Sequence, residues 1–449
     1  MPSSLGALSY IPARYGTPNG WQTVSLGGLA RIVGGATPDR EEPSFWTGGT
    51  ILWATPTDIT GLPGKWLRDT AEHITEKGLR FCSTSLLPAG TVLCTSRATI
   101  GGLAIAASPV ATNQGFANFV PAEGIDSDFL YYLLSFVAPV FIRLGAGTTF
   151  LEVNKRDLRK VRCSIPPPQE RERIGRVLDA VDAAIERTRT AIEKARLVKR
   201  GLLQQFLESG LGRISAADRP GKFLANGWRL IRAGELLSGE PKNGISPPAE
   251  GRPPGYPTFS IAAVREGRID LLNEAHRKYV RIRPDVAAEC AVRRGDILIV
   301  RGNANPGLVG CCGVVDGYPD GCIYPDILKR VVFKNGNDGV LPEYAVMVWN
   351  HSVVHNQVLK RAKTSNGTLK INTRDVKSII MPVAPTGEQQ RIVDIIRAAE
   401  AREKALREIL LLQMRLKRGL MHDLLTGKVR MTGEATSGWP PQSGAEALA

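Results

Sequence analysis

The sequence predicts an α+β chain: two mixed α/β domains separated by a long antiparallel two-helix coiled coil, arranged as a pseudo-twofold internal repeat. Three observations predict it. A set of motifs recurs at one constant offset, two long segments carry apolar residues at alternating steps of four and three, and the segments between them hold short β-rich runs among Gly-, Pro- and Thr-rich loops.

The repeat is the strongest signal. Asn154-Lys-Arg-Asp-Leu158 recurs as Asn372-Thr-Arg-Asp-Val376, Glu170 and Arg173-Ile174 recur as Glu388 and Arg391-Ile392, and Lys199-Arg-Gly-Leu202 recurs unchanged as Lys417-Arg-Gly-Leu420. Chance does not hold register over that length. Upstream, Gly20-Trp21 with Gly27 answers Gly227-Trp228 with Gly234, and Gly90-Thr-Val-Leu93 answers Gly295-Asp-Ile-Leu298. The upstream offset differs, so the two variable segments differ in length as well as in sequence. Breakpoints fall at Pro166-Pro-Pro168, at Asp218-Arg-Pro-Gly221 and at Pro382–Gly387, because helices start after Pro- and Gly-rich punctuation. The expected order is an N-terminal extension (1–19), a first variable domain (20–165), a central helix and linker (166–217), a second variable domain (218–384), a C-terminal helix (385–430) and a disordered tail (431–449).

The first long helix is expected over Gln169–Leu211, with a seam of Ile174, Leu178, Val181, Ile185, Ile192, Ala195, Leu202 and Phe206. The second repeats the seam with Ile392, Ile396, Ala399, Leu406, Leu410, Leu420 and Leu424, and Lys199 and Lys417 interrupt the two seams at matching places. A seam of that period with charged flanks is a coiled-coil edge, too narrow for a domain core and too long to stay exposed. The two should therefore pair with each other, and the intervening domain leaves enough chain for an antiparallel return. About 40 helical residues give a rod of roughly 60 Å. On B-DNA such a rod could separate two contact sites by at most about 17 base pairs.

The first variable segment carries expected strands at Thr91–Thr95 and Leu103–Ala107 and a helix near Asp128–Phe136. The second carries strands at Ile297–Val300, Leu308–Val315 and Leu328–Phe333 and a helix near Glu343–Asn356. The greasiest stretch, Phe129–Ile142, is expected to be a buried helix, too short to span a bilayer and interrupted by Ser135 and Pro139. No basic-then-apolar signal segment is read at the start.

Composition points to a polyanionic partner. The 449 residues carry 58 Lys+Arg against 43 Asp+Glu, a formal charge of +15, and the pI is about 9.6. With 43% hydrophobic residues the chain is no disordered polymer. Seven cysteines (Cys82, Cys94, Cys163, Cys290, Cys311, Cys312, Cys322) form no Cys-x-x-Cys pair, which fits reduced thiols in a cytoplasm better than a disulfide framework. His351 and His355, four apart on an expected helix, complete no classical zinc pattern, so no metal is expected.

Arg97 and Arg301 each follow a short apolar strand and precede a loop, where a guanidinium can reach phosphate or the O6/N7 edge of guanine. Asn243 and Asn303 have the amide geometry suited to adenine. Against this stands the plain alternative that each is a loop residue bonding its own backbone. Trp46 and Trp53 read as core packing rather than base-stacking.

The order of short motifs resembles that of type I restriction–modification specificity subunits, twice over. In the first domain it is carried by Gly34-Gly-Ala-Thr-Pro38, Pro43-Ser-Phe-Trp46, Ile51-Leu-Trp53, Leu87-Pro-Ala-Gly-Thr-Val-Leu93, Ser96-Arg-Ala-Thr-Ile-Gly101 and Asn113-Gln-Gly-Phe116. In the second it is carried by Pro241-Lys-Asn-Gly-Ile245, Gly295-Asp-Ile-Leu-Ile-Val-Arg-Gly-Asn303 and Cys322-Ile-Tyr-Pro-Asp326. The Pro-Pro-x-x-Glu entry into the first long helix also matches, degraded to Ala384-Pro-Thr-Gly-Glu388 before the second. The resemblance implies two target-recognition domains reading a split, asymmetric DNA site, and its loops add Thr37, Arg40, Thr99 and Lys242 to the DNA-contact candidates. It also implies that two methyltransferase subunits and restriction–translocase subunits supply the chemistry, with S-adenosylmethionine, ATP and Mg bound there and no cofactor here. The setting it implies is a bacterial or archaeal cytoplasm, without a membrane.

The chain has no Asn-Pro-Pro-aromatic loop, no Walker loop ending in Gly-Lys-Ser/Thr and no recognisable nuclease carboxylate cluster. Two rivals to a DNA-reading adaptor are a coiled-coil scaffold with non-specific DNA affinity and a self-sufficient methyltransferase, the latter opposed by the missing strings.

Overall fold

A computed structural model describes residues 17–97, 99–145, 152–211, 221, 227–250, 252–265, 267–334, 339–365 and 367–432. Most of the expected N-terminal extension, the Asp218–Pro220 breakpoint and the tail beyond Thr432 lie outside the described residues. The chain divides into two compact units, Met1–Ile192 with Leu406–Ala449, and Glu193–Ala405.

In the first unit, Ala30–Gly34, Ala117–Pro121, Val92–Cys94, Leu103–Ala106 and Trp66–Leu67 form one sheet in that order, and Glu72–Ile74, Ile51–Ala54 and Val110–Thr112 form another. A short antiparallel pair, Gln22–Ser25 with Arg162–Ile165, leads directly into the first long helix, Pro168–Leu211. The apolar helix expected near Asp128–Phe136 runs Ser127–Leu144. It continues through Pro139, which removes one helical hydrogen bond, because Val140 and Phe141 beyond the proline are buried in the domain core. At that length it is apolar enough to cross a membrane by composition, which corrects the expectation of a shorter segment. Eight of its side chains are buried in the core against Ile105, Phe119 and Leu178.

In the second unit the main sheet runs Lys242–Asn243, Leu328–Val331, Ile297–Val300, Cys312–Val314, Arg268–Ile269, Val264–Arg265. A smaller sheet joins Gly302–Asn303, Thr368–Lys370 and Lys363–Ser365, and Arg229–Arg232 pairs with Ile380–Val383 ahead of the second long helix, Thr386–Leu425. Three boundaries differ from expectation. The strand expected over Leu308–Val315 is only Cys312–Val314, since Leu308 and Val309 close a turn onto the Asn305 and Pro306 carbonyls. The strand expected to Phe333 ends at Val331, and Phe333 makes an isolated bridge to Leu237. The helix expected over Glu343–Asn356 is two helices, Pro342–Asn350 and Ser352–Arg361. The break at His351 follows from Asn350, whose side chain is bound to both the N–H and the carbonyl of Cys312 at 2.9 and 2.8 Å, tying the helix end to the sheet.

The long helices pair antiparallel inside each unit. In the first, the Lys417 ammonium lies 2.6 Å from Asp182, and Leu420, Leu424 and Leu425 share a core with Ile174 and Leu178. In the second, Arg196 lies 2.9 Å from Glu403, and Leu202, Phe206 and Leu207 share a core with Ile392 and Ile396. Val181, Ile185, Ile192, Leu406 and Leu410 are buried or half-buried as well. The pairing is as expected, but the contrast drawn between a helix seam and a domain core was too sharp. Ile174 and Leu178 pack with Phe129 and Leu133, and Ile392 and Ile396 with Trp228 and Tyr344, so each helix start is also domain core. The cause is the short strand pair, which delivers each helix straight from its domain.

Candidate nucleic-acid interface

The two domains share one frame. Trp21 donates from Nε1 to Glu170 at 3.2 Å, and Trp228 does the same to Glu388 at 2.9 Å. Asn154 caps the helix Lys155–Lys160 by accepting from Asp157 N at 2.8 Å, and Asn372 caps Thr373–Ser378 through Asp375 N at 2.9 Å. Gly27 and Gly234 press on the backbones of Arg159 and Lys377, so that a Cβ would stand about 3.2 Å from either carbonyl. These motifs repeat because the frame needs them.

What the frame presents differs between the domains. Val153 N donates to the Ser96 carbonyl and Ile371 N to the Arg301 carbonyl, so Ser96 and Arg301 are counterparts. Arg97 bridges to Glu152 in the first domain where Gly302 pairs with Lys370 in the second. The two arginines singled out by sequence are therefore one position apart in the frame. Arg97 gives Nε and Nη2 to Glu152 at 3.1 and 2.8 Å, whereas Arg301 donates at 3.3 Å to the Asp326 carbonyl.

The other candidates divide similarly. Arg40 forms a two-armed ion pair with Glu72 and stacks over Trp46 and Trp53 at 4.1 and 4.9 Å. The bond between Arg40 and Glu72 raises the guanidinium's pKa and lowers the carboxyl's. Trp53 is buried, with Trp46 edge-on to it at 5.0 Å, in the packing role expected. The Thr37 hydroxyl bonds the Gln114 side chain, and Thr99 is exposed, with its carbonyl accepting from the Thr95 hydroxyl. Asn303 accepts from Asn305 N at 2.8 Å, the self-bonding alternative weighed for it. Lys242 is exposed beside Asn243 on the edge strand.

Three basic residues that sequence reasoning missed stand with these in the second unit. Lys363 and Lys370 are exposed and directly opposite each other in the ladder Lys363–Ser365 with Thr368–Lys370. Like charges so placed repel, and a polyanion laid over the hairpin would relieve the repulsion. The dipeptide Asn366-Gly367 between two lysine-bearing runs was the available hairpin signal. Lys329 is only 3% exposed. Its ammonium donates to Asn243 Oδ1 at 2.6 Å and to Thr373 Oγ1 at 3.0 Å. Burial, and after it the Arg301 charge, lowers its pKa. Lys329 and Arg301 thus form a basic pair, with the neutral Asn243 amide bound to the lysine.

The first domain builds the same place differently. Gly35 and Gly244 both sit against a pair of carbonyls, those of Thr112 and Asn113 and those of Tyr324 and Pro325, where no Cβ fits. Gly34 therefore stands where Asn243 does. The Lys155 ammonium occupies the space a Gly34 side chain would need, and Lys155 is the repeat counterpart of Thr373. An ammonium reaches the loop from the helix in one domain and from the strand in the other.

Elsewhere, the seven thiols are free, and burial pushes Cys94, Cys163 and Cys322 up to about 12. Among the described residues no group of three or more His, Cys, Asp or Glu is placed to hold a metal ion.

Residues 18–194 match the family described as type I restriction modification DNA specificity domain. The chain is 32% identical over 229 residues to the MjaIX specificity subunit of Methanocaldococcus jannaschii, covering 50% of this chain and 53% of that one. It is 24% identical over 252 residues to the EcoKI specificity subunit of Escherichia coli K12, covering 56% and 53%. The chain thus spans about half the length of these curated relatives. Among solved structures, a chain from a study of the assembly and conformational transition of a type I R-M system aligns with TM-score 0.57 at 19% identity, over 92% of this chain and all of that one. The S subunit from M. genitalium aligns with TM-score 0.51 at 13% identity, over 90% and 96%. These two show the fold.

Proposed function

We propose that the chain is a specificity subunit of a type I restriction–modification system, on the similarity of residues 18–194 to that family's DNA specificity domain and of the chain to curated specificity subunits, and that it reads a bipartite, asymmetric DNA sequence, one half through each domain. The observation that carries this is a repeated frame with unlike outward residues. Where one domain sets Arg97 against Glu152, the other sets Gly302 against Lys370. Two domains that present different groups from equivalent positions will select different half-sites. The excess of positive charge supplies the sequence-independent attraction to phosphate.

The chain acts as a non-catalytic adaptor. It directs two methyltransferase subunits and the restriction–translocase subunits to the site, and S-adenosylmethionine, ATP and Mg bind to those partners. Its setting is the cytoplasm, without a membrane partner. The paired helices set the gap between the halves. Mapping methylated bases in host DNA with and without this gene tests the reading. One bipartite motif should lose methylation when the gene is removed, and an unchanged methylation pattern would contradict it. Purified alone, the chain should transfer no methyl group.

A further inference from the structure

The assignment of Asn243 to adenine, made on residue type alone, conflicts with what its side chain touches. Reading adenine takes an amide oxygen accepting from N6 and an amide nitrogen donating to N7, both turned toward the base. Asn243 is exposed on the edge strand Lys242–Asn243, directly opposite Lys329 in the antiparallel register. Side chains so paired share a face and meet. Here they meet as Lys329 Nζ to Asn243 Oδ1 at 2.6 Å. An ammonium has three donors and no acceptor, so the amide atom facing it is the oxygen. Lys329 is tied down by burial and by its second bond, to Thr373. The amide oxygen is therefore turned inward and the two Nδ2 hydrogens outward.

We propose that Lys329 fixes the face Asn243 shows to DNA, so that the second domain reads guanine at this position, whose O6 and N7 both accept, over adenine, which offers N7 but sets its N6 donor against the second Nδ2 hydrogen. Lys329 is a positioning residue, and Asn243 the one that touches the base. The positive surroundings, with Arg301 beside Lys329, suit the acceptor-rich edge as well. The first domain lacks this device. Its counterpart of Asn243 is Gly34, and Lys155 brings the ammonium there with no amide to orient. The inference rests on the DNA-reading function proposed above.

The test is selection from a randomised duplex library by the full chain in its native assembly, with each base position scored. Wild type should prefer guanine to adenine at one position of one half-site. Asn243→Asp keeps the shape and the bond to Lys329 but turns an acceptor outward. That position should switch to cytosine or adenine, by about tenfold in relative affinity, and all others should stay. Lys329→Met keeps the buried stem and releases the amide, so adenine should become tolerated at the same position alone. If wild type selects a bipartite site but Asn243→Asp changes no position, or if the position it changes is adenine in wild type, the inference is wrong. If wild type selects no sequence at all, the function it rests on is wrong.

Discussion

Lys417 on the second long helix meets Asp182 on the first at 2.6 Å, and Asp182 also accepts from the Tyr132 hydroxyl at 2.8 Å. The repeat predicts the counterpart of this pair as Lys199 with Glu400, and Lys199 indeed lies 3.9 Å from Glu400 and 3.4 Å from Glu403. The lysine that interrupts each apolar seam is thus matched by an acid on the other helix. A half-buried pair of this kind specifies which residues lie opposite one another, while its contribution to stability is modest.

Removing either member of the Lys417–Asp182 pair should therefore cost about 1 kcal/mol, and removing both should cost less than the two losses added. Thermal melts of Lys417→Ala, Asp182→Ala and the double variant measure this. Strict additivity would mean the two side chains do not interact.

The carboxyl of Glu170 should give the fold a dependence on acid. Burial pushes its pKa up, but the Arg430 fork at 3.0 Å, the Met431 N–H at 2.9 Å and the Trp21 indole together hold it below the usual value. A carboxyl lowered in the folded state stabilises fully above its unfolded pKa, about 4.3. The contribution disappears as pH falls through the folded value. Melts of wild type and Glu170→Gln should differ at pH 7 and converge in strong acid. A difference that persists below both pKa values would remove this carboxylate from the account.

Arg301→Ala should lose sequence-specific affinity by about 1–3 kcal/mol if the guanidinium grips a guanine edge with both arms. Competition binding against specific and scrambled duplexes reads the ratio directly. An unchanged ratio would exclude Arg301 from base reading and leave it at most a phosphate contact.

Lys363→Ala and Lys370→Ala should behave differently from Arg301→Ala. Each should weaken binding to all sequences alike and flatten the salt dependence by about one in the slope of log K against log salt. Titrations at several salt concentrations decide it. An unaltered slope in the double variant would show that DNA does not cover this hairpin.

Much of this architecture was legible in the sequence because periodicity and repetition survive without tertiary context. The seam from Ile174 to Phe206 and its copy needed only spacing to be read, whereas Asn154 and Asn372 stood out only as a repeated motif, and the helices they cap came from the structure. The candidate interface was less legible. Arg97 and Arg301 look alike as strand-end arginines, yet the bonds from Val153 and Ile371 put them one position apart, and register is a property of the partner strand. Lys329 fell within the expected strand Leu328–Phe333 and nothing in the sequence singled it out. Only the folded sheet sets it across from Asn243 and over Thr373, where burial lowers its pKa and its donors orient a neighbour. Arg40 was read as a DNA contact from its loop, but Glu72, Trp46 and Trp53 already hold it. Sequence reasoning located the loops and could not say which of their side chains were already engaged.

The central claim is that each domain reads its own half of the site. Replacing residues 227–381 with the matching segment of a curated type I specificity subunit, then mapping methylated bases, tests it most directly. The account predicts that one half of the motif changes while the other half is retained. Retention of both halves, or loss of both together, would contradict it.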